Sequence, residues 1–323
     1  MTTFSVVIAT RNRAALLERT LDALSRQSWP RDRFEVIVAD NGSSDMTAAV
    51  VRQAAERTGA PPISYLHVER PGKSGAVNTA VARARGEVIA YTDDDVKPDP
   101  RWLERIAAAI EETGADFVAG RILPIWEVPQ PSWLSPALFG VLAVPDNGDE
   151  RVLISRDQPS PIMTIGANMA VVRAVVERLG GLRDDLGKLD GTLQGGEDHE
   201  YFLRMLHSGC RGVYEPTALV HHWVPASRLS RRYFRQWLYR NGRDVARLEP
   251  AFPSNAVRLF GLPRYLWRQA AGDVRALAAA TVVADPAERF RALVRVLWFA
   301  GYVRETCFAR WRRVERAVPV EVQ

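Results

Sequence analysis

A chain of 323 residues can bury an ample core as one large domain, or as a domain with an appendage. It is 47% hydrophobic and 25% charged, ordinary for a soluble protein, and its two cysteines, Cys210 and Cys307, are far apart with no CxxC partner, which argues against a disulfide framework or a cysteine zinc site and suits a reducing cytosol. The net charge of +5 hides a polarity: from Ala226 onward nineteen arginines and no lysine face eight carboxylates, so that the tail is strongly basic and the preceding 225 residues are net acidic.

The opening MTTFSVVIATRNR has no charged region ahead of its apolar run and does not have the form of a signal peptide. Phe4 to Ala9 is continuously apolar, as expected of a strand covered on both faces. Leu17, Leu21 and Leu24 repeat at helical spacing within Ala14 to Arg26. Phe34 to Ala39 predicts a second strand, closed by the turn residues Asp40-Asn41-Gly42-Ser43-Ser44. A helix over Met46 to Arg57 follows, ended by Gly59 and Pro61-Pro62. Then come a strand at Ile63 to Val68, a helix at Ala76 to Arg85 and a strand at Val88 to Thr92.

This alternation predicts an α/β fold with a mostly parallel central sheet flanked by helices. Such sheets bind ligands at the carboxyl ends of their strands. Three polar clusters, Thr10-Arg11-Asn12, Asp40-Asn41 and Asp93-Asp94-Asp95, each directly follow a predicted strand. From Leu123 to Pro161 proline, tryptophan and polar residues lack a clear period, which suggests a long functional loop or lid. Ile165 to Val172 predicts a strand and Arg173 to Leu179 a helix. Leu182 to Gly196, rich in glycine and aspartate, is expected to be mobile. Glu197 to His207 predicts a helix with Tyr201, Phe202, Met205 and Leu206 inward, followed by a strand at Val213 to His221.

Beyond Pro225 the chain reads as helical, with Tyr233, Phe234, Trp237, Leu238 and Trp267 interleaved with arginines and a second amphipathic stretch from Phe290 to Trp311. Two readings stand: helices lying in an anionic membrane interface, or an appendage packed on the catalytic domain with its arginines reaching water. The longest apolar stretch, Ala292 to Val303, is interrupted by Arg295 and falls short of the about 20 residues of a membrane span, so no transmembrane segment is expected. No zinc-finger spacing or RNP-like aromatic motif is present, and no nucleic-acid partner is expected.

The triplet Asp93-Asp94-Asp95 puts like charges close together, which is costly unless a cation neutralises them. Hard divalent metals take oxygen ligands and often combine one or two carboxylates with substrate phosphates. In extended chain Asp93 and Asp95 point one way and Asp94 the other. Glu197-Asp198 opens a predicted helix, where carboxylates are also favoured by plain electrostatics.

Five pieces in order, VVIATRNR, VADNGSSD, PGKSGAVNTAVARARGEVIAYTDDDV, GANMAVVR and GGEDHEYFLRMLHSG, resemble glycosyltransferase family 2 and cover residues 4 to about 225. The resemblance implies a GT-A fold over residues 1–225, with a nucleotide-binding half (1–97) and an acceptor-binding half (98–225), followed by a helical extension over 226–323. It implies a nucleoside diphosphate sugar donor, commonly a UDP-sugar, a divalent metal (manganese or magnesium) and inversion at the anomeric carbon. Carried over by position, Asp40 resembles the residue that binds the nucleobase; Thr10 and Arg11 would line the nucleoside pocket, and Lys73 and Asn78 the segment under the nucleotide. Asp93 and Asp94 would face the nucleotide, Asp93 through the ribose or the metal. Asp95 would take the metal, joined by His222 from His221-His222-Trp223. Gly166, Ala167 and Asn168, with Glu197, would border the donor sugar and acceptor. Asp198 resembles the general base of the ED motif, which the chemistry requires because an acceptor hydroxyl is a poor nucleophile until deprotonated.

The activity so implied is sugar transfer to a hydroxyl of a glycan, lipid-linked acceptor or other glycoconjugate. A cell-surface polysaccharide role in a bacterium is expected, and a cytoplasmic location with peripheral contact at the inner face of the cell membrane. Alternatives are a catalytically inactive sugar-nucleotide or membrane-binding protein on the same scaffold, or a nucleotidyltransferase. The latter would need a glycine-rich basic loop after the first strand, and ATRNRAALL has no glycine. The same stretch lacks the GxGxxG of a dinucleotide-binding enzyme.

Overall fold

A computed structural model describes residues 2–69, 72–145, 147–158, 162, 164–186, 195–252, 256–283 and 285–317, with side chains in the last two helices described up to Val282 and Cys307. The chain divides into two compact units, one of residues 1–127, 142–192 and 197–224, the other of 128–141, 193–196 and 225–323.

In the first unit, β1 (Phe4–Thr10), β2 (Phe34–Asp40), β3 (Ile63–His67) and β4 (Val88–Asp93) form a parallel set in the order β3-β2-β1-β4. The apolar runs of β1, β2 and β4 are buried along nearly their whole length, as required of strands covered on both faces. The intervening helices α1 (Ala14–Leu24), α2 (Thr47–Glu56) and α3 (Lys73–Arg83) supply the cover through single apolar stripes, Leu17, Leu21 and Leu24 on α1. Beyond β4 the sheet becomes mixed. β5 (Val96–Pro98), β6 (Phe117–Trp126), β7 (Val152–Ile154), β8 (Asn168–Val172) and β9 (Gly212–Val224) extend it, with β8 antiparallel to both β4 and β6 and β5 antiparallel to β9. Helices α4 (Trp102–Thr113), α5 (Arg173–Leu179) and α6 (Glu197–His207) complete the unit. Together these elements make the GT-A architecture expected from the sequence.

Three expectations need correction. The stretch from Leu123 to Pro161 is not one structureless lid. Leu123–Trp126 continue β6 alongside β9, Val152–Ile154 pair with β9, and 128–141 belong to the second unit; residues 146 and 159–161 lie outside the described ones. The strand expected to end at His221 runs on to Val224 to pair with β5 and β6, so that His222 lies within it. The strand expected at Ile165 begins only at Asn168. The segment expected to be mobile, Leu182 to Gly196, is described to Leu186 and from Gly195, and its middle lies outside the described residues.

The second unit is built on α7 (Arg231–Leu248), α8 (Arg264–Val283) and α9 (Pro286–Ala317), with a two-stranded hairpin of β10 (Arg258–Leu259) and β11 (Leu262–Pro263). Ser230 caps α7 by accepting from Tyr233 N at 3.2 Å. Helices α7 and α9 meet backbone to backbone: a Cβ on Gly242 would lie 2.0 Å from Trp298 O, and one on Gly301 2.0 Å from Tyr239 O. Trp133, from the 128–141 segment, packs edge-on against Phe234 and Phe290, with ring centroids 5.2 and 4.8 Å away. Among the described residues no helix is long and apolar enough to cross a membrane.

Candidate active site

Parallel register puts the three polar clusters at one level, since Thr10 lies beside Asp40 and Ala9 beside Asp93. The loops after β1 and β2 lock together there. Asn12 adopts a left-handed backbone (φ 52°), a conformation Asn tolerates better than most residues; its N–H donates to Ser43 Oγ and its Oδ1 accepts from Ser44 N, each at 2.8 Å. The turn directs Arg13 back over the aspartate triplet. The triplet's own backbone is clamped from two sides: Thr20 Oγ1 of α1 lies 3.0 Å from Asp94 O and 2.7 Å from Val96 O, and Trp223 N of β9 donates to Asp95 O at 2.9 Å.

The carboxylates then divide, although β4 ends at Asp93 and Asp94-Asp95 form a turn rather than the extended chain expected. Asp94 turns to Thr10 Oγ1 (2.7 Å) and Arg13 Nη1 (2.6 Å). Asp93, Asp95 and His222 form the opposite group, offering ligand atoms that all lie within 4.8 Å of one another. Asp95 Oδ2 accepts from Arg13 Nη1 at 2.8 Å, while its Oδ1 lies 3.2 Å from His222 Nε2. His222 is delivered by β9, directly opposite Val96 of β5. Two carboxylates and an imidazole are a donor set that hard or borderline divalent cations accept, so these residues fit the metal that the family resemblance implies.

Lys73, the first residue of α3, pairs with Asp93 Oδ1 at 2.6 Å. Burial alone would lower its ammonium, but the fields of Asp93, Asp198 and Glu197 outweigh that and hold its pKa above the ordinary lysine value. In turn burial works to raise Asp93, and Lys73 outweighs it, holding the carboxyl below the usual range. Asp94 goes the other way: burial, helped by the Asp95 charge and only partly offset by Arg13, pushes it up to about 6.

Asp198 lies in the first turn of α6 and accepts from the backbone N–H of Gly166 at 2.9 Å. A side chain on Gly166 would crowd this carboxylate: a Cβ there would sit 2.9 Å from Asp198 Oδ1 and 3.3 Å from Oδ2. Glu197 beside it is buried at 5% exposure. Asp40 ends β2 buried, its Oδ1 accepting from Ser43 N (2.9 Å) and its Oδ2 from Tyr65 OH (2.8 Å). Burial and this carboxylate push the Tyr65 hydroxyl up to about 12.

Other expected contact residues are occupied within the fold. Asn168 is 1% exposed; its Oδ1 accepts from Trp102 Nε1 and its Nδ2 donates to Arg121 O and Ala218 O, all at 2.8 Å. Asn78 holds the chain after α5, donating to Leu182 O (2.7 Å) and Asp184 Oδ1 (2.9 Å) and accepting from Leu182 N (2.8 Å). Ala167 is fully buried, and its carbonyl accepts from Thr92 Oγ1 at 3.0 Å. Arg11 is half-buried on the β1 loop. Sequence reasoning settled on Arg11 and passed over Arg13, the residue that bridges Asp94 and Asp95; the available signal was the Asn between the two arginines, whose left-handed turn decides which one faces the carboxylates.

Acidic residues and a lysine thus gather at the carboxyl ends of the parallel strands, joined by a histidine of β9, on the edge where sheets of this kind bind ligands. The model of glycosyl transferase family 2 matches residues 5–180, and the chain belongs to that family. Glycosyltransferase AglE of Haloferax volcanii is 35% identical over 118 residues, 36% of this chain and 38% of that one. Succinoglycan biosynthesis protein ExoM of Rhizobium meliloti is 29% identical over 302 residues, covering 92% of this chain and 90% of that protein. Among solved structures, the mannosyltransferase PcManGT from Pyrobaculum calidifontis, in complex with GDP-Man and Mn2+, superposes with a TM-score of 0.66 over 94% of this chain and 87% of that chain at 22% identity, a likeness of fold.

Proposed function

We propose that this chain is an inverting glycosyltransferase that moves a sugar from a nucleoside diphosphate sugar, with UDP-sugars the first donors to test, to a hydroxyl of a glycan, glycolipid or other glycoconjugate. The observation that carries the reading is the convergence of Asp93, Asp95 and His222 on one point, with Lys73 held in the joint field of Asp93 and Asp198. PcManGT, in complex with GDP-Man and Mn2+, supports a nucleotide-sugar donor with a divalent cation, and ExoM, named for succinoglycan biosynthesis, supports a polysaccharide product.

In this reading Asp40, Thr10 and Arg11 border the nucleoside, while Asp95 and His222, with Asp93, hold the cation. When bound, the cation would neutralise charge developing on the diphosphate leaving group. Lys73 adds a fixed positive charge next to Asp93. Asp198 takes the proton of the acceptor hydroxyl as that oxygen attacks the anomeric carbon. Its carboxylate is aimed by the Gly166 N–H, and proximity of this kind is where much of the rate of such a transfer originates.

The test is nucleoside diphosphate release from a panel of UDP- and GDP-sugars with manganese, followed by NMR of the product anomer. Donor turnover that is lost in Asp95→Asn, with a product of inverted configuration, is expected. A retained configuration, or an Asp95→Asn variant as active as the parent, would overturn the reading.

A further inference from the structure

The second unit carries a short hairpin whose tip breaks a local folding rule. β10 and β11 pair as Arg258 with Pro263 and Leu259 with Leu262, joined by Phe260 and Gly261 at φ 51° and 82°. Two-residue turns with both φ values positive favour Asn-Gly or Asp-Gly, because a side chain at such a position crowds its own backbone. Phenylalanine there gains nothing from burial. Phe260 is 78% exposed and meets Trp267 only edge-on, with centroids 6.2 Å apart.

The hairpin is nevertheless firmly held. Leu262 is buried with Ala246, Leu266 and Tyr302; Trp267 Nε1 donates to Leu259 O at 2.9 Å, Arg264 N to Val257 O at 2.7 Å and Arg258 Nη1 to Gly261 O at 2.9 Å. The tip presents an apolar set, Val257, Leu259 and Phe260, all exposed. Beside it stand Tyr265, also exposed, and two exposed arginines, Arg264 and Arg268, one turn apart on α8. Neither arginine pairs with a carboxylate among the described residues, whereas nearby acids are already engaged, Glu249 by Arg258 and Asp273 by Arg295.

We propose that this hairpin is an interfacial anchor that seats on an anionic lipid surface. Phe260, Leu259 and Val257 enter the boundary between headgroups and acyl chains, Tyr265 sits at headgroup level, and Arg264 and Arg268 meet lipid phosphates. Charge complementarity selects this occupant: a second copy would bring the same arginines against themselves, and a bilayer needs no pocket matched to a single exposed ring. The basic excess of the tail, nineteen arginines against eight carboxylates, draws the chain toward the same surface.

The experiment is flotation of the full chain with phosphatidylcholine vesicles, with and without phosphatidylglycerol, at low and high salt. Binding only to the anionic vesicles, weakened by salt, with a blue shift of tryptophan emission, is expected. Phe260→Asn installs the residue that the turn favours, so it should fold at least as well as the parent yet bind vesicles about tenfold or more weakly. Arg264→Gln/Arg268→Gln should lose the preference for anionic lipid. Nucleoside diphosphate release from a sugar donor should be unchanged in both variants, which separates this test from that of the transfer reading. Equal binding to neutral vesicles, no binding at all, or a Phe260→Asn variant that binds like the parent would each overturn the proposal. So would a parent dimer in sedimentation that Phe260→Asn dissociates, since the tip would then be a protein interface.

Discussion

Gly166→Ala puts the proposed base under direct strain. The added methyl would sit 2.9 Å from Asp198 Oδ1, 3.3 Å from Oδ2 and 3.4 Å from Cγ, closer than a carbon and a carboxylate oxygen normally approach. What must yield is the end of a flexible side chain rather than backbone, so the fold absorbs the change cheaply while the carboxylate swings away. Its hydrogen bond from Gly166 N, 2.9 Å in the parent, lengthens or breaks. A hydrogen bond to a charged group contributes about 1.5–3 kcal/mol, and misplacing a reacting group by about 1 Å can cost roughly 100-fold in rate. We therefore expect kcat to fall roughly 10- to 100-fold with the donor KM little changed and Tm close to that of the parent. Asp198→Asn should cost roughly 100- to 10,000-fold, the range of a lost general base. The double variant should be no slower than Asp198→Asn alone, because the methyl acts only through the carboxylate. Steady-state kinetics with saturating acceptor measure all three. Parent-like kcat in Gly166→Ala, or additive losses in the double variant, would refute the assignment of Asp198.

Arg13→Gln leaves Asp94 and Asp95 without the guanidinium that bridges them; the metal-free protein should melt lower, and manganese should raise its Tm by more than it raises that of the parent, as read by differential scanning fluorimetry. His222→Ala removes one of three converging side chains that could hold a metal and should weaken manganese binding in calorimetry by at least roughly tenfold, the low end of what loss of even an outer partner commonly costs. Asn168→Ala strands the Trp102 indole N–H and two carbonyls, each costing about 1–3 kcal/mol when unpaired. Urea unfolding should show a loss of about 3 kcal/mol or more, with the folded fraction keeping its kcat; a stable variant with a raised donor KM would instead make Asn168 a sugar contact.

What was legible in the sequence was what the chain encodes locally. The buried runs of β1, β2 and β4, the leucine stripe of α1 and the acidic turn after β4 each announce themselves within a dozen residues, because a short apolar run bounded by turn residues and an apolar stripe at helical spacing are both local patterns. The residues that complete the site depend on pairings invisible to such windows. His222 faces Asp95 only because β9 outruns its own hydrophobic alternation to pair with β5, and Trp133 belongs to the second unit because Phe234 and Phe290 receive it. Polar residues mislead for a related reason. Asn78 and Asn168 fall in segments that match the family, yet their amides satisfy backbone groups and an indole that would otherwise be buried unpaired; a buried amide in a matching segment can be retained for either task. The aspartate triplet shows how the two demands combine. Asp94 goes to Arg13 and Thr10, which anchors the turn, while Asp93 and Asp95 meet beside His222, where like charges persist because Lys73 and Arg13 pair with them. The site is therefore specified twice, once by three consecutive letters and once by the non-local Lys73 and Arg13 that make those letters tolerable, so replacing either cation should disturb the site as surely as replacing an aspartate.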